Sequence, residues 1–571
     1  MKLRRHLTLL AAALFLVTTP GRAAPPAAVG HDVDAYLSAL VPFGYWGAAL
    51  IAIDGKVVLN RGYGWADAEK RVPNTPETLF GLQSVTKQFT AAAVLALQQD
   101  GRLDIDASIA DYLPDVPPDK RGITLHQLLS HTSGVMAGTE TRIDDFSRDS
   151  VIRTVLAEPL AFEPGSDFMY SNFGYELLAA IIENVSGLSY DEFVAARLFK
   201  PAGLTHTGHR PPDSTAVAAH WYAEGEDLGD PRMWPFPDWN SFGSGGTLTT
   251  TTDLFRWHEA LLGDDVLSAA SRRILYTPVL REYACGWTVR DSPHGTLIMH
   301  NGGSSNGSAT LFARYVDANV TVILFCNHDG ETMLFSERVA SQVERIVFGE
   351  PVTTPPAVRP FEVRDRDALA GDYILRGETH IIIETGNNTL IARAFGQDAI
   401  NALLQLRDPS REARAGVRAG EIFSAFAAGD TLPLFAAFST PERGTRFVRY
   451  FERQRNTDEA RMGTFRGYAV LGTVPDWITD VADVVTFLRA DYEHDSRIFR
   501  LHWKDGAIAA VGGSGVAEPV RVQLLPGDHG TLVGYHIPTG QVVVIRPSPA
   551  RRRTPQTLRL ADGSEFRRER N

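Results

Sequence analysis

Cysteine is almost absent from this chain: Cys285 and Cys326 are the two among 571 residues, which excludes a fold stapled by a disulfide network. Each lies in a strand-like stretch, and two thiols alone leave open whether they pair. Long apolar runs are equally scarce. The run Leu7 to Val17 is too short to span a bilayer and nothing after it is long enough, so no transmembrane anchor is expected in the mature chain. Positive charge is also in deficit, with 56 Lys and Arg against 68 Asp and Glu for a net charge of -12, which argues against nucleic acid as a partner. A metal-ligand pattern is missing too. His126 and His131 have no third ligand at recognisable spacing, and a histidine bonded to backbone is the commoner case. The glycines of Phe242 to Asp253 lack phosphate-loop spacing, so no cofactor is expected.

The amino terminus does carry a pattern. Lys2, Arg4 and Arg5 precede the apolar run, and Gly21-Arg22-Ala23 offers small residues for cleavage, so residues 1–23 read as a secretory signal. The expected destination is the periplasm or the medium. No cysteine near the cleavage position supports lipid anchoring. The length calls for two to four domains.

The chain is organised around Ser84-Val85-Thr86-Lys87, at the mouth of a run from Gln88 to Gln99 that is apolar on nearly all sides and predicts a buried helix ended by Asp100-Gly101. A hydroxyl and an amine three residues apart share a helix face, so the amine can reach the hydroxyl's proton. The free N–H groups of a first helical turn favour developing negative charge at the same place. Before it, Gly47 to Ile53 and Lys56 to Leu59 flank Asp54-Gly55, a hairpin signal. After it come a short helix within Ile123 to Gly134, the loop bearing Tyr170-Ser171-Asn172, and a helix expected from Tyr175 to Asn184. The glycine-rich loop then leads into a helix capped by Thr252 or Asp253. Strands are expected over Tyr283 to Val289, Thr296 to Met299, Ala309 to Tyr315 and Val320 to Phe325, then a helix from Thr332 to Phe348. Ser305 sits in a Gly-x-Ser-x-Gly pattern, but a strand-like segment follows where a nucleophile elbow needs a helix, so it is rejected as a nucleophile.

Ser-Val-Thr-Lys, Tyr-Ser-Asn and His300-Asn301-Gly302, in that order, resemble the serine β-lactamase-like superfamily, in its branch of class C β-lactamases, DD-peptidases and family VIII esterases. Leu128 to Gly134, Phe162 to Gly165 and Gly245 to Asp253 support the likeness, which covers roughly residues 33–349. The resemblance implies an α/β (α+β) domain, an antiparallel sheet with helices on both faces. It implies Ser84 as the acylated nucleophile, Lys87 as its base, Tyr170 as the group passing a proton to the leaving group, and Asn172, His300 and Gly302 as substrate-binding positions. The amides of Ser84 and Gly303 would form the oxyanion hole. Nothing resembles the glutamate-bearing loop of class A enzymes. His300 stands where the family commonly has lysine; an imidazole of ordinary pKa would be mostly neutral at pH 7, so KM for a carboxylate-bearing substrate is expected to rise as pH climbs past about 6.5.

Past a proline-rich linker at 350–360, the chain resembles a lipocalin-like β-barrel in two halves, residues 361–410 and 515–571, interrupted by an α+β cone-like segment over 411–514. The hydrolase-like domain is read as 24–349. Arg551, Arg552 and Arg553 read as a solvated loop. Three functions fit: a serine hydrolase acting on an ester, D-amino-acid peptide or β-lactam; a penicillin-binding or sensing module that acylates with little turnover; and a silent scaffold, which the intact set of site residues disfavours. The partner is a small molecule or peptide with an attackable carbonyl. Oligomeric state is not legible.

Overall fold

A computed structural model describes residues 26–136, 147–211, 215–223, 226–233, 239–304, 306–329, 335–359, 363–377, 379–385, 389–406, 409–476, 482–513, 519–536, 539–548 and 557–569. The expected signal segment, Ser305 and Arg551 to Arg553 lie outside the described residues.

The strand Gly47–Ile53 is buried at every position because both of its faces are covered. Ala48, Leu50 and Ala52 enter one core, while Ala49, Ile51 and Ile53 enter another. Asp54 and Gly55 both take positive φ, 51° and 72°, closing the expected hairpin onto Lys56–Tyr63. Across the six-stranded antiparallel sheet the order is Lys56–Tyr63, Gly47–Ile53, Val320–Asp329, Gly307–Tyr315, Gly295–Ser304, Thr288–Ser292.

Helices cover both faces, as the resemblance implied. On one side Pro26–Leu40 and Phe335–Val347 pack through Val33, Leu37, Val339 and Val343. On the other lies the larger core around Lys87–Gln99, whose residues from Lys87 to Leu97 are all buried. Cys285 and Cys326 are both buried and form no disulfide, and burial pushes the Cys285 thiol up to about 12.

Several boundaries differ from expectation for local reasons. The helix expected from Tyr175 begins at Asn172, because Ser171 caps it by accepting the Gly174 N–H, and ends at Ser186 before Gly187. Thr250, rather than Thr252 or Asp253, caps Thr251–Ala260 by accepting the Asp253 N–H. Tyr283 is in no strand: Leu280 to Tyr283 form a tight turn, and the strand there runs Thr288–Ser292.

Beyond residue 363, eight antiparallel strands close into a barrel. Gly371–Arg376, Thr379–Thr385 and Leu390–Phe395 come from the first stretch, and the strands from Val520–Pro526 to Glu565–Arg568 from the last. Tyr373 paired with Arg568 completes the closure, which removes exposed edges. Between the two stretches, Phe465–Pro475, Val484–Tyr492, Ser496–Lys504 and Ala507–Gly513 form a separate four-stranded sheet. Ser410–Ala427 and Pro441–Met462 pack on it around Phe423, Phe451 and Trp503.

Candidate active site

Ser84 is held by a short crossing of two chain segments. Phe80–Gly81 pairs with Leu248–Thr249, and the Gly81 carbonyl accepts from Ser308 Oγ at 3.2 Å and Thr310 Oγ1 at 3.0 Å. The chain then turns through Gln83, which takes φ of 50°, a conformation that costs a non-glycine residue and clusters at functional sites. A 3-10 turn, Gln83–Thr86, carries Ser84, and the α-helix starts at Lys87 rather than at the serine. Gly302 lies against this turn so closely that an added Cβ would sit 2.5 Å from the Leu82 carbonyl and 2.8 Å from the Ser84 amide nitrogen. Glycine at 302 therefore lets the strand Gly295–Ser304, and with it Gly303, run beside Ser84.

Lys87 is fully buried and points at three oxygens. Its Nζ is 3.1 Å from Ser84 Oγ, 2.8 Å from Asn172 Oδ1 and 3.0 Å from the Ser244 carbonyl. Burial brings the amine down to about 7, against the nearby Glu176 carboxyl, which favours the charged form. The side chain also lies over the rings of Tyr170 and Tyr175, 4.7 and 5.6 Å from their centroids.

Tyr170 is half-buried beside Lys87, and its hydroxyl oxygen, itself buried, makes no hydrogen bond in this structure. Burial raises its pKa and proximity to the Ser84 hydroxyl lowers it, with burial dominant, so the phenol holds its proton. Asn172 stands in the first turn of its helix, not on the loop. Between them, Ser171 donates its amide hydrogen to His131 Nδ1 at 3.1 Å. That histidine therefore bonds backbone, as expected of it, and its ring packs 4.3 Å from that of Tyr170.

His300 departs from the expectation of an ordinary imidazole. Its Nδ1 donates to the Asn301 carbonyl at 2.6 Å, which leaves Nε2 to accept from the Tyr283 hydroxyl at 2.9 Å. Burial, then the charge of Lys87, brings the ring down to about 3, against the bond to Asn301. Both nitrogens are engaged inside the protein and the ring is neutral through the physiological range. The expected titration near 6.5 is corrected accordingly.

Two residues of this cluster escape sequence reasoning. Tyr283 is expected in a strand, and only the tertiary fold brings it to His300. Glu176, one turn beyond Asn172, is wholly buried and accepts the Gly243 N–H at 2.7 Å, next to the Ser244 carbonyl that Lys87 uses. Burial holds its carboxyl up at about 7. A glutamate inside the apolar stretch Phe173 to Ile182 is the one signal that marks it beforehand.

The chain is similar to known proteins over much of its length. The chain is 29% identical to penicillin-binding protein 4* of Bacillus subtilis (strain 168) over 418 residues, 67% of this chain and 90% of that one. It is 30% identical over 301 residues to protein flp of Staphylococcus aureus (strain COL), covering 49% of this chain and 59% of the relative. In fold it is similar to the octameric penicillin-binding protein homologue from Pyrococcus abyssi, with a TM-score of 0.51, 18% identity, and coverage of 90% of this chain and 97% of the other. Residues 46–344, which hold all the side chains described above, match the family model described as Beta-lactamase, and the chain belongs to that family, whose chemistry is of the serine hydrolase type.

Proposed function

We propose that this protein is a serine hydrolase that attacks an ester, D-amino-acid peptide or β-lactam carbonyl and passes through an acyl-enzyme. The observation that carries the proposal is the 3.1 Å approach of Lys87 Nζ to Ser84 Oγ in a pocket that keeps the amine near neutrality. An amine of pKa about 7 is half unprotonated at neutral pH and can take the serine proton as the oxygen attacks. The charge that forms on the attacked carbonyl is assigned to the amides of Ser84 and Gly303. As the tetrahedral intermediate collapses, the phenol of Tyr170 gives its proton to the leaving group and recovers it from the Lys87 ammonium. Water then repeats the sequence on the acyl-serine: its proton passes to Lys87, with Tyr170 relaying by giving up its own proton as it accepts another, and the same proton returns to Ser84 Oγ as the acyl bond breaks. Asn172 orients Lys87 through the 2.8 Å contact and is assigned to the substrate's amide, with Gly302 lining the same cleft.

A second reading, acylation with little turnover, draws support from the relative named a penicillin-binding protein. We further propose export after removal of residues 1–23, and a division at residues 350–360 between the hydrolase region and a barrel interrupted by residues 411–514. Intact-mass spectrometry after incubation with an ester, a D-amino-acid peptide and a β-lactam tests the main reading. An adduct absent from Ser84→Ala is expected, and its decay separates turnover from stable acylation. No adduct with any probe overturns the proposal.

A further inference from the structure

The stretch His131-Thr132-Ser133-Gly134 has no part in the proposed reaction, yet it runs along the loop that carries Tyr170. Amides of that loop donate to it in succession. Ala161 donates to the Gly134 carbonyl at 2.8 Å, Gly165 to the Thr132 carbonyl at 2.7 Å and Met169 to the His131 carbonyl at 2.9 Å. Ser171 then donates to His131 Nδ1 at 3.1 Å, and its hydroxyl donates to the Met136 carbonyl at 2.5 Å. His131 therefore takes the amide before Tyr170 with its carbonyl and the amide after it with its ring. The backbone at Tyr170 cannot rotate without breaking one of these two bonds.

His131 is buried and takes φ of 60°, a left-handed conformation in which histidine is one of the few non-glycine residues enriched. In that conformation its carbonyl and its ring both face the segment from Met169 to Ser171. The ring packs against both phenols of the site, with centroids 4.3 Å from Tyr170 and 4.6 Å from Tyr283. The bond to Ser171 also fixes the tautomer. A ring nitrogen that accepts an N–H carries no proton, so the proton lies on Nε2, which is buried and makes no hydrogen bond. Burial, then the charges of Lys87 and His300, hold the pKa well below the usual imidazole value, so no second proton arrives to break the bond.

The Tyr170 hydroxyl, by contrast, has no hydrogen bond of its own to set its direction. Its placement comes from the backbone and from the groups against the ring, His131 at 4.3 Å and Lys87 Nζ at 4.7 Å from the centroid. A general acid must stand within hydrogen-bond reach of the atom it protonates, and a misplacement of about 1 Å can cost on the order of a hundredfold in rate.

We propose that His131 is a positioning residue for protonation of the leaving group: by accepting the amides of Met169 and Ser171 it aims the Tyr170 phenol at the departing atom, and it takes no proton itself. The proposal rests on the acyl-enzyme reading above, in which Tyr170 gives its proton to the leaving group.

The test compares an alkyl ester, whose oxygen must be protonated as it departs, with a 4-nitrophenyl ester of the same acyl group, whose phenolate departs without a proton. Full-length His131→Phe keeps a ring against the two tyrosines and loses the acceptor. His131→Asn loses the ring but carries Oδ1 as many bonds from the backbone as Nδ1, and asparagine tolerates the left-handed conformation. In His131→Phe, kcat/KM for the alkyl ester is expected to fall about a hundredfold and that for the nitrophenyl ester less than about threefold. His131→Asn is expected to stay within about tenfold of the parent on the alkyl ester. In a Tyr170→Phe background, His131→Phe should add little to the loss already present. If His131→Phe does not fold, His131→Gln, whose amide lies one carbon too far out to meet Ser171, replaces it with the same expectation.

Equal losses on the two esters, no loss on either, or a loss in His131→Asn as deep as in the variant without the acceptor overturns the positioning role. Adduct formation at Ser84 of the parent chain with the nitrophenyl ester, read by mass, reports the acyl-enzyme reading separately. An adduct in the parent together with equal losses in the variants removes the role of His131 alone; no adduct in the parent removes both.

Discussion

Lys87 Nζ sits 3.1 Å from Ser84 Oγ in a pocket that excludes solvent from the amine, and that burial, more than any neighbouring charge, makes the lysine a base at neutral pH. The sign of the resulting pH dependence is fixed. Below about 7 the amine is protonated and cannot accept the serine proton; above it the free amine predominates. The acylation rate is expected to rise with pH through a midpoint near 7 and level off, because Tyr170 keeps its proton well into the alkaline range. Stopped-flow acylation with an ester whose own charge is constant checks this. A midpoint near the ordinary lysine value of about 10.4 would remove Lys87 as the base.

Glu176 provides a way to move that midpoint. Its carboxylate favours the charged form of Lys87, so Glu176→Gln should let the amine lose its proton at lower pH. The glutamine oxygen can still accept the Gly243 N–H, so the loop carrying the Ser244 carbonyl is retained. The acid limb of the acylation profile is expected to shift to lower pH with the plateau changed less than threefold. A limb that stays in place would make Glu176 a packing residue only.

His300 yields a prediction opposite to the one its residue type invites. Because burial keeps the ring neutral down to about 3, the preference for carboxylate over carboxamide substrates should stay flat between about pH 5 and 8. A change centred near 6.5 would show that the imidazole titrates freely. Removing its partner should be costly: Tyr283→Phe leaves Nε2 as a buried acceptor without a donor, a loss of about 1–3 kcal/mol, readable as a lowered thermal midpoint.

What the sequence discloses of this site follows the range of the interactions involved. The Ser84–Lys87 relation is local, one helical turn, and could be read from spacing. The hairpin at Asp54-Gly55 and the buried helix after Lys87 were legible for the same reason. The Asn172 helix was placed three residues late, because a single hydroxyl, that of Ser171, decides where it starts. Tyr283 and Glu176 matter only through contacts made across the fold, with His300 and Gly243, and no spacing announces them. The state of His300 depends on how deeply its strand is covered, which residue type does not reveal. The interrupted barrel was visible as two sets of short alternating strands.

The barrel is also tied to the hydrolase region more firmly than a linker at 350–360 implies. Leu525 and Tyr535, from barrel strands, are buried in the same core as Tyr36, Phe43, Val339 and Val343. The Tyr535 hydroxyl donates to the Thr353 carbonyl at 2.7 Å, and its ring meets that of Tyr36 edge-on, with centroids 6.4 Å apart. Truncating so large a buried ring costs about 3 kcal/mol or more, and the cavity would open onto the helices that back the central sheet. Tyr535→Ala is therefore expected to lower the temperature at which Ser84 loses its capacity to be acylated. Deleting residues 361–571 should lower it further, since the Pro26–Leu40 face would then meet water. If heat inactivation of acylation is the same in Tyr535→Ala as in the parent chain, the barrel and the hydrolase region fold as independent units and the shared core contributes nothing to the stability of the site.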